Sequence, residues 1–201
     1  LSSSSAASDV YKRQVFYKDS PRYIDPIDAG KIISCLHPFV LRVGLFVNND
    51  AEFVKDSIIK SKINFLQFHG DESEEYCNQF NLPYIKAIPM KEDINLLEYC
   101  KDYESASALL LDTFSKKLKG GTGTVFDWKK VPRKLSLPLI IAGGLNSENI
   151  KSLIKTVNPF CVDVSGGVES RKGEKDEEKM KEFMLSLIHI SEPTETDSYL
   201  V

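Results

Sequence analysis

The sequence has no paired cysteines, no histidine cluster, no long apolar run and no excess of basic residues, and each absence removes a class of function. The four cysteines, Cys35, Cys77, Cys100 and Cys161, stand far apart with no CxxC pair, so neither a disulfide framework nor a zinc site is indicated. Reduced thiols in a cytoplasmic protein are the plain reading. The three histidines, His37, His69 and His189, lack metal-ligand spacing such as HExxH, and no metal is inferred. No stretch is apolar enough for a membrane span. The net charge of -3 is spread as lysines interleaved with acids, which gives no general attraction to nucleic acid. What is present, 42% hydrophobic and 27% charged residues in 201, suffices for the core of one soluble domain.

The two ends differ from the middle. LSSSSAASDVYKRQ, residues 1–14, is a serine and alanine tract leading into a short basic patch, without the apolar segment of a signal peptide. It reads as foreign or disordered sequence, as do residues 185–201, which end in SEPTETDSYLV. The domain is expected over residues 15–184.

Within it, short β-rich runs recur: Val40 to Val47, Ile63 to Gly70, Tyr84 to Ile88, Ala108 to Asp112, Leu137 to Gly144 and Phe160 to Gly167. Their spacing of roughly 20 to 30 residues leaves room for one helix and two loops each, the rhythm of repeated βα units on a parallel sheet. Near-continuous apolar character in FLQF and LIIA fits strands covered on both faces. Between them stand plausible helix caps: Asn49 or Asp50, Asp71 and Ser73, Asp93, and Asn146 or Ser147. An open doubly wound sheet and a closed (β/α)₈ barrel both fit the alternation. The first would favour a glycine motif after its first strand, whereas here the glycine pairs come late, at Gly143-Gly144 and Gly166-Gly167. Late glycines favour the barrel, in which phosphate commonly sits between the loops after strands seven and eight and a short extra helix. Counting back, the visible runs become strands three to eight and Val15 to Tyr17 a remnant of strand two. The expected fold is an α/β TIM barrel that is incomplete, lacking strand one, helix one and most of strand two.

AGGLNSENI and VDVSGGVES each place glycines directly after a strand, where a chain without Cβ atoms brings backbone N–H groups close to an anion. With SPRY at Ser20, RVGLFVN at Arg42, LQFHGDE at Leu66, LLLD at Leu109, GGTGTVFDW at Gly120 and GEKD at Gly173, these motifs run in the order and spacing of the phosphoribosylanthranilate isomerases of tryptophan biosynthesis. The chain closely resembles that family from Val15 to Met184.

The resemblance implies an Amadori rearrangement, in which an acid protonates the ribose ring oxygen and a base removes the C2′ proton. It makes Asp112 the general acid. A carboxyl at a strand mouth that must hold a proton benefits from a loop that excludes water, and Ser115 to Gly123 is that loop in this reading. Arg22 is implied to bind the anthranilate carboxylate, a task suited to a planar guanidinium. Gln67, His69 and Asp163 are implied near the substrate, and Gly143, Gly144, Ser165, Gly166 and Gly167 around its phosphate. Phe126 and Trp128 are expected to pack rather than to stack on substrate. The family's base is a cysteine in a KICG-like first strand, a motif that does not occur in this sequence. None of the four cysteines fits the role, so the chain is expected to lack its base and to be inactive as written. The expected partner is a small sugar phosphate, with no cofactor, no nucleic acid and no membrane, and with the chain a monomer or homodimer.

Other phosphate-binding barrels compete with this reading. A ribulose-phosphate epimerase would carry metal-binding His and Asp motifs, and indoleglycerol-phosphate synthase a lysine acid, neither seen at these strand ends. A non-catalytic phosphate-binding remnant is the rival from another class.

Overall fold

The computed structural model describes residues 11–91, 94–113, 125–132 and 134–188. Seven strands form one sheet in chain order: β1 (Tyr11–Val15), β2 (Leu41–Phe46), β3 (Phe65–Phe68), β4 (Tyr84–Met90), β5 (Ala108–Thr113), β6 (Leu139–Ile141) and β7 (Cys161–Val162). Every neighbouring pair is parallel. All six expected runs are strands. The strand expected at Val15 to Tyr17 instead covers Tyr11 to Val15. It starts earlier because Tyr11 to Val15 align with Leu41 to Leu45 of β2, and ends where the chain turns to carry Arg22. The last residues of the stretch expected as foreign are thus part of the sheet, while residues 1–10 lie outside the described ones, as do residues 189–201.

The helices α1 (Pro26–Ile33), α2 (Ala51–Ser61), α3 (Glu74–Asn78), α4 (Leu96–Asp102), α5 (Ile150–Val157) and α6 (Glu177–Ile188) cover the outer face. Asp50 caps α2 by accepting from Phe53 N, and Ser73 caps α3 by accepting from Tyr76 N, each satisfying an N–H with no partner inside the helix. The cap of α4 is Asn95, accepting from Leu97 N, not Asp93, which lies outside the described residues. Asn146 accepts from Glu148 N and Asn149 N in the turn that leads into α5. The helix α1, with Asp25 as cap and Pro26 in its first turn, supplies an αβ connection that no expected cap had marked.

Strand alternation divides the apolar residues into two layers. On β5, Leu109 and Leu111 pack outward with Ile88, Ile141, α4 and α5, whereas Ala108 and Leu110 join Ile85, Ala87, Ile140 and Ala142 in an inner cluster. Near the other end of the sheet, Phe16, Phe46, Leu66 and Phe68 pack outward with residues of α1 and α2. Phe126 and Trp128 lie against the outer cluster, as expected of packing residues. The sheet is curled enough for Arg13 of β1 to form an ion pair with Asp163, just past β7.

Candidate functional site

At the C-terminal ends of β3 and β5, and just past β7, the inner-facing position falls, by period two, on a polar residue, whereas the ends of β1 and β2 present Val15, Leu45 and Val47. On β3 the inner series is Phe65, Gln67, His69; on β5 it is Ala108, Leu110, Asp112; after β7 it reaches Asp163. These ends open into a cavity of about 410 Å³ lined by Arg22, His69, Asp112 and Asp163, and by Gly143, Gly144, Ser165, Gly166 and Gly167. All the residues singled out from the sequence meet here except Gln67, which is fully buried beneath the floor.

Gln67 supports instead of lining. Its Oε1 accepts from Arg13 Nη1 at 3.2 Å, and its Nε2 lies 3.0 Å from His69 Nδ1. Arg13 can only donate, so the amide nitrogen is left to donate to Nδ1, and the ring proton of a neutral His69 sits on Nε2. That atom faces Asp112 Oδ2 at 3.3 Å. The other carboxyl oxygen of Asp112 accepts from Thr113 N at 2.8 Å. Asp112 is therefore held from both sides at the mouth of β5. The loop expected to shield it, Ser115 to Gly123, lies outside the described residues.

Arg13 was not anticipated, because it lies in the stretch expected as foreign. Burial works against its charge, but the Asp163 carboxylate beside it raises its pKa above that of a free guanidinium. Asp163, expected near the substrate, is committed to this pair. Arg22, expected to meet a substrate carboxylate, has its Nε and one Nη on Glu169 at 2.7 and 2.6 Å.

The glycines differ in what they do. Gly143 has φ +81°, and a Cβ there would come within 2.6 Å of Asp112 Oδ1, so its missing side chain makes room for the Asp112 carboxylate. Gly144 also has positive φ, at 65°. At Gly167 a Cβ would run into the carbonyl oxygen of Leu145; glycine is what lets the loop after β6 and the 3₁₀ turn Gly166–Val168 touch along their backbones. Gly166 has no such demand, with only Arg22 Nη2 at 3.7 Å. Gly167→Ala is therefore expected to lower the urea midpoint clearly while Gly166→Ala leaves it within error. Equal midpoints would show that the two loops separate freely.

None of the four cysteines lines the cavity. Cys77 and Cys100 are buried, burial pushes the Cys77 thiol up to about 12, and burial and then Asp163 raise that of Cys161. Only Cys35 is exposed. Iodoacetamide at neutral pH is expected to label Cys35 alone, since the thiolate is the reactive form; rapid labelling of a second cysteine, mapped by peptide mass, would contradict the packing.

The N-(5′phosphoribosyl)anthranilate (PRA) isomerase family model matches residues 2–185. A protein of Nitrosospira multiformis named N-(5′-phosphoribosyl)anthranilate isomerase is 49% identical over 170 residues, 85% of this chain and 82% of that protein. The crystal structure of the Thermotoga maritima phosphoribosylanthranilate isomerase superposes with a TM-score of 0.80 at 38% identity, covering 88% of this chain and 87% of that one. A structure of phosphoribosylanthranilate isomerase with reduced 1-(o-carboxyphenylamino)-1-deoxyribulose 5-phosphate superposes with a TM-score of 0.76 at 37% identity, covering 88% and 86%.

Proposed function

We infer the roles at this mouth from one premise: the chain belongs to the N-(5′-phosphoribosyl)anthranilate isomerase family. Its reaction is the aldose–ketose isomerisation of N-(5′-phosphoribosyl)anthranilate to 1-(2-carboxyphenylamino)-1-deoxyribulose 5-phosphate, a step of tryptophan biosynthesis. The substrate carries a phosphate at one end and a carboxylate at the other, with a furanose ring between. The mouth offers a glycine-lined loop pair, the Arg22 guanidinium beside Gly166 and the Asp112 carboxyl beside Gly143.

The observation that carries the assignment is Asp112 at the inner mouth of β5, held by Thr113 N and facing His69. Asp112 is the general acid that protonates the ring oxygen as the C1′–O bond opens. His69, its tautomer set through Gln67, holds the carboxyl in place. Phosphate binds among Gly143, Gly144, Ser165, Gly166 and Gly167, where backbone N–H groups are approachable. Arg22 receives the carboxylate. The remaining step, removal of the C2′ proton, needs a base, and no cysteine lines the mouth. The reaction so read needs no cofactor and takes a small substrate, in the cytoplasm, on a monomer or homodimer.

The gap for that base is between the ends of the sheet. β1 and β7 are its terminal strands, joined across by Arg13 and Asp163. Among the described residues this supports the reading of a barrel short of strand one and helix one, whereas the place of strand two is filled by β1, paired along its length with β2. The experiment is turnover of N-(5′-phosphoribosyl)anthranilate by the chain as it stands and by the chain with residues 1–10, which precede β1, replaced by a βα unit whose strand carries a KICG-type cysteine. Turnover is expected only from the second. Turnover from the first at comparable rate would place the base among the residues already present.

A further inference from the structure

Arg22 is not held by the residues that surround it in sequence. Its Nε and Nη2 lie on the two oxygens of Glu169, at 2.7 and 2.6 Å, the side-on fork by which arginine grips a carboxylate. Glu169 opens strand β8 (Glu169–Arg171), which pairs with β9 (Glu174–Lys175) as a small hairpin beyond the glycine turn. Its side chain is only 4% exposed. Lys175 reaches the same Glu169 oxygen at 3.1 Å and also donates to Ser165 O at 2.8 Å. Lys179 donates to the Glu169 carbonyl at 2.8 Å.

A guanidinium has two edges suited to a carboxylate, one through Nε and one through the two Nη atoms. Glu169 occupies the first. Among the described residues no hydrogen bond is made by Nη1, which leaves the second edge for the cavity that Arg22 lines. A free arginine would lose considerable rotamer freedom on gripping a ligand; here that ordering is already complete. With Lys175 beside Arg22, the cluster still keeps one positive charge after Glu169 is counted.

We propose that Glu169 is a positioning residue for substrate carboxylate recognition: it fixes the plane of Arg22 and turns its free edge toward the cavity. Lys175 ties that fixture to Ser165, so the carboxylate receptor and the phosphate loop are held at a set separation. The inference rests on the reading of Arg22 given above and adds the residue that makes Arg22 selective. Glu169 remains a carboxylate in this setting: burial opposes its charge, but Arg22 and Lys175 together hold its pKa below the usual range.

The test is a binding measurement, which needs no turnover. Reduced 1-(o-carboxyphenylamino)-1-deoxyribulose 5-phosphate and the same compound without its carboxyl group are titrated calorimetrically into the chain, Glu169→Gln, Glu169→Asp, Arg22→Gln, and the Arg22→Gln/Glu169→Gln double variant. The unaltered chain is expected to prefer the carboxylate probe by about 10- to 100-fold, the range of a hydrogen bond to a charged group. Glu169→Gln should lose most of that preference and leave affinity for the other probe within about twofold. Glu169→Asp, which keeps the charge but falls short of the fork, should fall between, and also serves if the Gln variant does not fold. Arg22→Gln should abolish the preference, and the double variant should match it. A Glu169 variant that retains the preference, or weakens both probes equally, overturns the proposal while leaving Arg22 as the carboxylate ligand. An unchanged preference in Arg22→Gln overturns the Arg22 reading itself.

Discussion

Asp112→Asn, placed in the chain extended by a strand that carries the cysteine, is expected to lower kcat by about 10²- to 10⁴-fold, the usual contribution of general acid–base catalysis, with KM changed far less. Asn has the size of Asp and can still accept from Thr113 N, which Asp112 Oδ1 does at 2.8 Å. With its single oxygen so used, its NH₂ group is turned toward His69 Nε2, so one of the two contacts that hold Asp112 is lost. What it cannot do is hand a proton to the ring oxygen as the furanose opens. The binding roles proposed above fall on other residues that line the cavity, Arg22, Gly144 and Ser165 among them, so on that reading the loss falls on the chemical step. Steady-state turnover of N-(5′-phosphoribosyl)anthranilate reads it directly. Full activity in the Asn variant would remove Asp112 from the mechanism.

Lys86→Met is expected to destabilise the fold by about 3–5 kcal/mol, the range for breaking a buried ion pair from one side. Lys86 stands on β4 at an outward position, and its side chain and that of Glu72 are 2% and 3% exposed. Its Nζ donates to Glu72 Oε2 at 3.0 Å and to Gly70 O at 2.6 Å, and lies over the ring of Tyr103. Glu72 also accepts from Asn48 N and Gly70 N, joining the loops after β2 and β3. Removing the ammonium leaves a carboxylate charged and enclosed. Adding Glu72→Gln should recover part of the loss, because the amide oxygen still accepts from one of those N–H groups without a charge to solvate. Urea unfolding of the two variants measures both numbers; a single-variant loss below about 1 kcal/mol would show water reaching the pair. Gly70 follows His69 directly, so the same variant should also disturb the His69–Asp112 contact.

The strands were legible because a parallel sheet covered on both sides writes itself as apolar runs, and Leu109 to Leu111 and Ile140 to Ile141 are such runs. Asp112 and the glycine pairs were legible because they interrupt those runs at the strand ends. Lys86 was not, since a lysine inside YIKAI reads as a solvated position until Glu72 is seen folded back over it. Glu169 was hidden for a related reason: its partner Arg22 is 147 residues away in the chain, and no local pattern marks a pairing of that span. Gly143 was read as part of an anion cradle; the sequence did not show that a Cβ there would also collide with Thr113 Oγ1 and Asp112 Oδ1. Gln67 was placed near the substrate by the resemblance; its side chain is fully buried and does not line the cavity, because depth along the strand is not given by sequence pattern.

The order of strands in the sheet is the order of strands in the chain. Each new strand can dock on the edge left by the one before it, so most pairings form between near neighbours and little chain must be closed into a loop at each step. The mouth follows a different schedule. Arg13 and Asp163 are 150 residues apart, and Arg22 waits for Glu169. During synthesis, Arg13 and Arg22 emerge long before Asp163 and Glu169. The ion pairs at the mouth can therefore form only when the segment from β7 to Glu169 has been made.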